Sequence, residues 1–386
     1  MESLSRRSFT MKVRGFVLFA VILQLASVSS ALAFGKKAPR RTWPADYHSD
    51  SICLADRGYC IEVVHLDYVS PLPKVGAVAL IPGFFQNGTD FDLLPEKDIS
   101  FARYLMREKG LAIYFIHVRG IGNSDITSRY TLDDVSMDDI PAAIEFIAKR
   151  EGEKIFVVGH SQGGNTLKAA LSGLDHCVKG ACFNPETAKT RQANVRGMMA
   201  IAANQSLSTR YHPDSSLPKL GALGWSIRGL TRTLLNYVWA KKLLTLFPGE
   251  KIFASSKALW EFLYSVERTP KDVRQAFYDR TLDGSSIGII NQYADAIKNG
   301  GIKSSSGELY VDGLKNISVP AAEVSFELDF FSPPQETLED TVSKLNPATS
   351  RFFAFPDQRH EDFMVDPKLH AEFSEAFDWL LASSPR

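Results

Sequence analysis

The stretch KIFVVGHSQGG, Lys154 to Gly164, constrains this chain more than any other. Four apolar residues, Ile155 to Val158, break at Gly159 and present His160-Ser161-Gln162. They give way at Gly163-Gly164 to NTLKAALSGL, which reads as a helix. A buried strand, a sharp turn with a serine at its apex and a helix thus follow one another without a gap. Gly159 and Gly163, small residues on either side of the serine, permit a strained turn that lifts its hydroxyl clear of a sheet. The Gly-x-Ser-x-Gly pentad by itself is a weak signal at ordinary glycine and serine usage. The strand before it and the helix after it supply the context the motif requires, and a plain glycine-rich turn is the poorer account.

The rest of the chain supplies a sheet for that turn. Ser51 to Pro71 gives two β-rich runs around Asp56-Arg57-Gly58, a hairpin. Val75 to Ile81 is a continuous apolar run ending at Pro82-Gly83, as expected of a strand buried on both faces. The loop after it then lies at a strand's C-terminal end, where open α/β sheets place their ligands. SFARYLMREKG predicts an amphipathic helix closed by Gly110, LAIYFIHV a strand, and DDVSMDDIPAAIEFIAKREG a helix with acids near its start and Lys149-Arg150 near its end. After the helix that follows the turn, Val195 to Gln205 is the next strand. The alternation then stops from about Ser206 to Ile317, a stretch too long for a loop in a compact domain. WSIRGLTRTLLNYVWAKKLLTLF within it carries Trp225, Leu230, Leu234, Val238 and Leu244 at helical spacing, with Arg228, Arg232, Lys241 and Lys242 among them. TLDGSSIGIINQYADAIKNGG reads as a Gly-Ser turn opening a second helix. Most of these apolar positions are expected to pack among themselves and against the core, and the remainder to line an acyl-binding slot. Alternation returns with a strand from Ala321 to Phe326, a helical stretch to Leu345, a last strand in RFFAFP and a closing helix in EFSEAFDWLLA.

Lys plus Arg and Asp plus Glu number 44 each, so nothing in the charge balance points to nucleic acid or an anionic surface as partner. Residues 1–33 read as a secretory signal peptide. Arg6, Arg7, Lys12 and Arg14 form a basic region, GFVLFAVILQLAS is an apolar run too short to span a bilayer comfortably, and Ala31-Leu32-Ala33 is an AxA cleavage site. The expected location is periplasmic or secreted, or membrane-anchored if the leader is uncleaved. SRRSFTMK also resembles a twin-arginine signal, although the apolar run is more hydrophobic than such signals need. The four cysteines form two short-range pairs, Cys53 with Cys60 and Cys177 with Cys182. An even count in an oxidising compartment favours two local disulfides that pin hairpins, with three connectivities open. The spacings form no paired CxxC motif, so a zinc site is the weaker alternative.

The strand order, the turn at Ser161 and a late histidine resemble the α/β-hydrolase superfamily, and within it the capped lipases and esterases. ADRGY is similar to the DGY hairpin of acid lipases, PGFFQNGTDFD followed by RGIGNSD resembles their oxyanion loop and RGxGxS turn, and RHEDF resembles their HxDF segment. The resemblance covers nearly the whole chain after the leader except residues 206–315, where it is weak. It implies an α/β-hydrolase fold: a mostly parallel sheet flanked by helices, with core segments 34–205 and 316–386 and a helical cap, 206–315, inserted after the strand that follows the nucleophile helix. It also implies a chain order of serine, acid, histidine, which Ser161, Asp329 and His360 satisfy, each just beyond a predicted strand.

The chemistry agrees. A serine hydroxyl needs a base, imidazole has a suitable pKa, and a carboxylate fixes the imidazole's tautomer and steadies its charged form. Among the other histidines, His160 sits in the turn and is expected to point elsewhere, His65 and His117 are expected to be structural, and His370 is expected on the surface. Glu327 is expected to be buried in or just leaving its strand, and Glu336, Glu339 and Asp340 to lie on a solvated helix face. The oxyanion needs two backbone donors, expected at Gln162 and, by analogy, Phe84. Pro82 stands where many relatives have histidine, and Asn87 either orients this loop or simply forms its turn.

The function so implied is cleavage of a carboxylic ester through an acyl-serine intermediate. The expected partner is a small-molecule or lipid-like ester, with transient lipid-surface contact through the cap, and no metal or organic cofactor is called for. The alternatives are an acyltransferase or polyester depolymerase using the same triad, and a non-catalytic binding protein on the same fold.

Overall fold

The computed structural model describes residues 41–127, 129–207, 237–239, 263–265 and 267–384. The leader and most of the apolar stripe from Trp225 to Leu244 lie outside the described residues.

Strands β1 (Tyr47–Leu54) and β2 (Tyr59–Leu66) form the expected hairpin, turning at Asp56-Arg57-Gly58. β3 (Gly76–Ile81), helix α1 (Phe101–Lys109), β4 (Leu111–His117), α2 (Ile140–Glu151), β5 (Ile155–His160) and α3 (Gln162–Leu171) follow in the predicted rhythm. The Ser100 hydroxyl caps α1 by accepting the Arg103 amide. The helix expected ahead of β5 is not uniform: Val135–Asp139 forms a π-turn before α2. Pro141 has no N–H to return to the Met137 carbonyl, and that carbonyl instead accepts Arg191 Nη2 at 3.0 Å.

A small hairpin, β6 (Leu174–Cys177) with β7 (Gly180–Phe183), and helix α4 (Pro185–Gln192) precede β8 (Val195–Ile201). β9 (Tyr237–Trp239) pairs antiparallel with β10 (Gly284–Ser286), so the helical spacing through Val238 gives a strand there. Helices α5 (Lys271–Arg280) and α6 (Ile287–Asn299), strands β11 (Ala321–Phe326) and β12 (Ser350–Phe355) and helix α7 (Pro367–Ser383) complete the order.

The eight-stranded sheet runs β1-β2-β4-β3-β5-β8-β11-β12. Every pairing from β4 to β12 is parallel, and only those of β2 are antiparallel. Parallel strands need covering on both faces, which explains why β3, β4, β5 and β11 are buried along their whole length. Alternate side chains serve two cores: Val78 and Leu80 join one with Phe101, Phe363 and Phe373, while Ala77, Ala79 and Ile81 join the other with Ile144, Ile147 and Leu167. The described part of 206–315 packs into both, through Val273, Phe277 and Leu282 on one side and Ile289, Ala296 and Ile302 on the other.

Cys53 and Cys60 lie directly opposite in the β1–β2 register and are bonded as a disulfide. Cys177 and Cys182 are thiols, contrary to the expectation of a second bridge. Their hairpin sets Cys177 across from Gly180 and Cys182 across from Asp175, a diagonal in place of a direct pair. The Cys177 hydrogen bond and partial burial push the Cys182 thiol up to about 11.

Candidate active site

The turn at Ser161 is built as its sequence requires. β5 ends at His160 and α3 begins at Gln162, leaving Ser161 alone between them at φ 50° and ψ −118°. A non-glycine residue there is strained, and it is held because the Ser161 amide donates to the Ile201 carbonyl at the end of β8, 2.8 Å away. Strand and helix then approach so closely that side chains are excluded: a Cβ at Gly159 would lie 2.5 Å from the Gly163 carbonyl carbon, and one at Gly163 would lie 2.3 Å from the Ile81 oxygen. Gly164, the third glycine, lets α3 sit on β8, where a Cβ would meet Ala203 Cβ at 2.4 Å.

Asp329 and His360 follow β11 and β12, adjacent parallel strands, and so meet at the same edge of the sheet. His360 Nδ1 and Asp329 Oδ2 are 2.9 Å apart, and both side chains are buried. The second carboxylate oxygen of Asp329 accepts the Phe331 amide at 2.8 Å, which fixes its plane. Burial works against an imidazolium at His360, but the charge and hydrogen bond of Asp329 outweigh it and raise its pKa above the usual histidine value. Two rings hold the imidazole in place: Phe331 edge-on at 5.1 Å and His160 at 4.9 Å between centroids. His160 therefore does not point elsewhere. It is buried, it packs on His360, and its Nε2 lies 3.1 Å from the His360 carbonyl. No direct hydrogen bond joins Ser161 to His360 among the described residues; such contacts often close only when substrate arrives.

The oxyanion candidates are both free to donate. Gln162 is the first residue of α3, so its N–H has no carbonyl one turn back. Among the described residues the Phe84 N–H has no acceptor either. The loop carrying Phe84 is strained, with Phe85 at φ 64°, and is tied down by Asp283 N donating to Phe85 O at 2.7 Å. Asn87 both turns this loop and anchors it: its Oδ1 accepts the Thr89 amide, and its Nδ2 donates to the carbonyls of Arg280 and Thr281.

Several expectations for the competing residues need correction. His370 is buried against Phe101 and Tyr104, not solvated, and desolvation lowers its pKa to about 4. Glu327 just leaves its strand, the second of its two expected placements, and is exposed there, accepting the Asp357 amide. Glu336 is buried, while Glu339 is solvated. His117 is structural, bound to Glu62 and to the Gly88 amide.

Sequence reasoning missed Gln86 and Glu361, both buried beside the site. The only available signal was position, since Glu361 follows His360 and Gln86 follows the proline-glycine turn.

The sheet order, the crossover helices and the serine turn define the α/β-hydrolase fold. Residues 99–228 match the family model described as serine aminopeptidase, S33. No curated protein matches the sequence. Among solved structures, a thermophilic esterase from Thermogutta terrifontis is similar at 17% identity and TM-score 0.53, over 88% of this chain and 100% of that one. E-2-(acetamidomethylene)succinate hydrolase is similar at 16% identity and TM-score 0.54, over 86% and 99%. A membrane phospholipase A described as a bacterial virulence factor is similar at 15% identity and TM-score 0.52, over 99% of both chains. Likeness at these identities is likeness of fold.

Proposed function

We propose that the protein is a serine hydrolase of carboxylic esters. The observation that carries this is the buried Asp329–His360 pair, held by His160, the residue before Ser161. In the proposed reaction His360 Nε2 takes the Ser161 proton as Oγ attacks the ester carbonyl, and Asp329 holds Nδ1–H and steadies the imidazolium. The Phe84 and Gln162 amides receive the oxyanion. Collapse expels the alcohol, protonated by His360, and leaves an acyl-serine that water cleaves by the same steps reversed.

The esterase and phospholipase A among the neighbours support an ester or lipid-like substrate. An apolar acyl portion under a cap formed by residues 206–315 is supported by the half-buried rings of Phe84, Phe85 and Tyr293 beside the oxyanion loop. Export by the leader is supported by the Cys53–Cys60 disulfide, since such bonds persist in oxidising compartments. The aminopeptidase family match favours a second reading, in which the same triad cleaves an amide.

The test is labelling with a fluorophosphonate probe, together with turnover of p-nitrophenyl esters of increasing chain length and of amino-acid p-nitroanilides. Ser161→Ala is expected to abolish labelling and lower ester turnover by about 10⁴-fold or more. Retention of both signals in that variant would sink the proposal, and turnover of anilides alone would favour the peptidase.

A further inference from the structure

Glu361 is a carboxylate where packing alone would favour a hydrocarbon. It is 3% exposed, and its hydrogen bonds reach two other segments of the chain. Its Oε1 accepts Gln86 Nε2 at 2.6 Å, its Oε2 accepts the Tyr264 hydroxyl at 2.6 Å, and its own amide donates to the Leu263 carbonyl at 3.1 Å. Burying a carboxylate costs several kcal/mol before its partners compensate, and replacing such buried polar groups with hydrocarbon of similar shape is often neutral or stabilising. Stability therefore does not explain a glutamate at this position.

Its partners do. Gln86 stands two residues after Phe84, and its side chain lies directly beneath the oxyanion turn: a Cβ on Gly83 would be 2.3 Å from Gln86 Oε1 and 3.1 Å from His160 Nδ1. His160 in turn packs on His360 and touches its carbonyl. Oxyanion loop, Gln86, Glu361, His360, His160 and Gly83 thus form a closed ring around the base of the site.

A second buried acid lies beside it. Asp90 is fully buried, neither of its carboxyl oxygens has a hydrogen-bond partner among the described residues, and burial together with the Glu361 charge raises its pKa well above the carboxylate range. Burial raises Glu361 as well, and His360 and the donors Tyr264 and Gln86 offset that only in part. Both carboxylate oxygens of Glu361 accept from these donors, whereas those of Asp90 meet none among the described residues.

We propose that Glu361 is a positioning residue whose carboxylate ties the loop presenting the Phe84 amide to the backbone carrying His360, so that oxyanion donor and base keep one geometry. This rests on the ester-hydrolase reading above.

The test uses the full chain and p-nitrophenyl esters, with thermal unfolding to show that each variant is folded. Glu361→Leu is expected to lower kcat by ~10- to 100-fold with KM within about twofold, because the donor is misplaced in the transition state while substrate binding is spared. Gln86→Leu is expected to give the same loss, and the double variant no more than either alone. Glu361→Gln is expected to stay within about threefold of the parent, since its amide oxygen still accepts from Gln86 and its NH2 can donate to the Tyr264 oxygen. Full kcat in a folded Glu361→Leu or Gln86→Leu chain, or additive losses in the double variant, would overturn the proposal. So would a Glu361→Gln chain as impaired as Glu361→Leu, which would make the charge itself the active feature. If Glu361→Leu does not fold, Gln86→Leu decides. A parent protein that takes no fluorophosphonate at Ser161 would bring down the hydrolase reading and this inference together, whereas a labelled parent with fully active tether variants would bring down only the inference.

Discussion

Glu62–His117 and Asp329–His360 are both buried carboxylate–histidine pairs on or beside strands of the sheet, with contacts of 2.8 and 2.9 Å. They differ at the second ring nitrogen. His117 Nε2 accepts the Gly88 amide at 2.9 Å, so both of its nitrogens are committed and the ring is held as the neutral Nδ1–H tautomer. Glu62 is further surrounded by donors: Trp43 Nε1, the Ser49 hydroxyl and the Asn123 amide. His360 Nε2 makes no hydrogen bond among the described residues, and its carboxylate has just one further donor, the Phe331 amide. The paired carboxylate is common to both sites, and the open nitrogen is what, on the hydrolase reading proposed above, lets His360 move a proton.

The largest expected contrast is in rate. Asp329→Asn should lower kcat/KM for p-nitrophenyl esters by ~10⁴-fold, because the amide favours the wrong imidazole tautomer, while Glu62→Gln should cost less than about tenfold. Equal losses would erase the distinction between the pairs. The pH dependence sharpens it. A general base must be neutral, so ester turnover should rise as pH climbs through the raised His360 pKa, and in Asp329→Asn that limb should move to lower pH.

Stability should run the other way. A histidine whose pKa is raised by folding contributes fully below its unfolded value, near 6.5, and the contribution fades as pH rises through the folded value. At Glu62 burial works to raise the pKa, but His117 and the surrounding donors win and lower it, so this pair contributes above about 4.5 and loses its contribution as pH falls below that. Urea unfolding of the two single variants against pH should separate these windows. The smallest effect expected is His117→Leu at neutral pH, a loss of ~1–3 kcal/mol from the lost Glu62 contact and the Gly88 amide left without its acceptor, with kcat changed little.

The same contrast shows what could be read from the chain. The strand-turn-helix at Ser161 and the strand ends before Asp329 and His360 were legible, because apolar runs and glycines report backbone geometry locally. The roles of His117 and His370 were only partly legible. Both stand near strand or helix ends, and nothing in a one-dimensional pattern says that His117 meets Glu62 or that His370 packs under Phe101. Cys177 and Cys182 were misread for a related reason: spacing suggested a bridge, whereas hairpin register decides which residues face each other. Glu361 and Gln86 lie 275 residues apart, and no local signal connects them.

The backbone at Ser161 carries a consequence for how such a chain changes over generations. Glycine would adopt φ 50° without strain, so a folded protein with glycine there would relieve about 1–3 kcal/mol, offset in part by a freer unfolded chain. Selection for robustness alone would not hold a serine in that conformation. On the hydrolase reading proposed above, its presence marks a position where heritable advantage came from reactivity, and where drift toward a sturdier chain would end in an inert one.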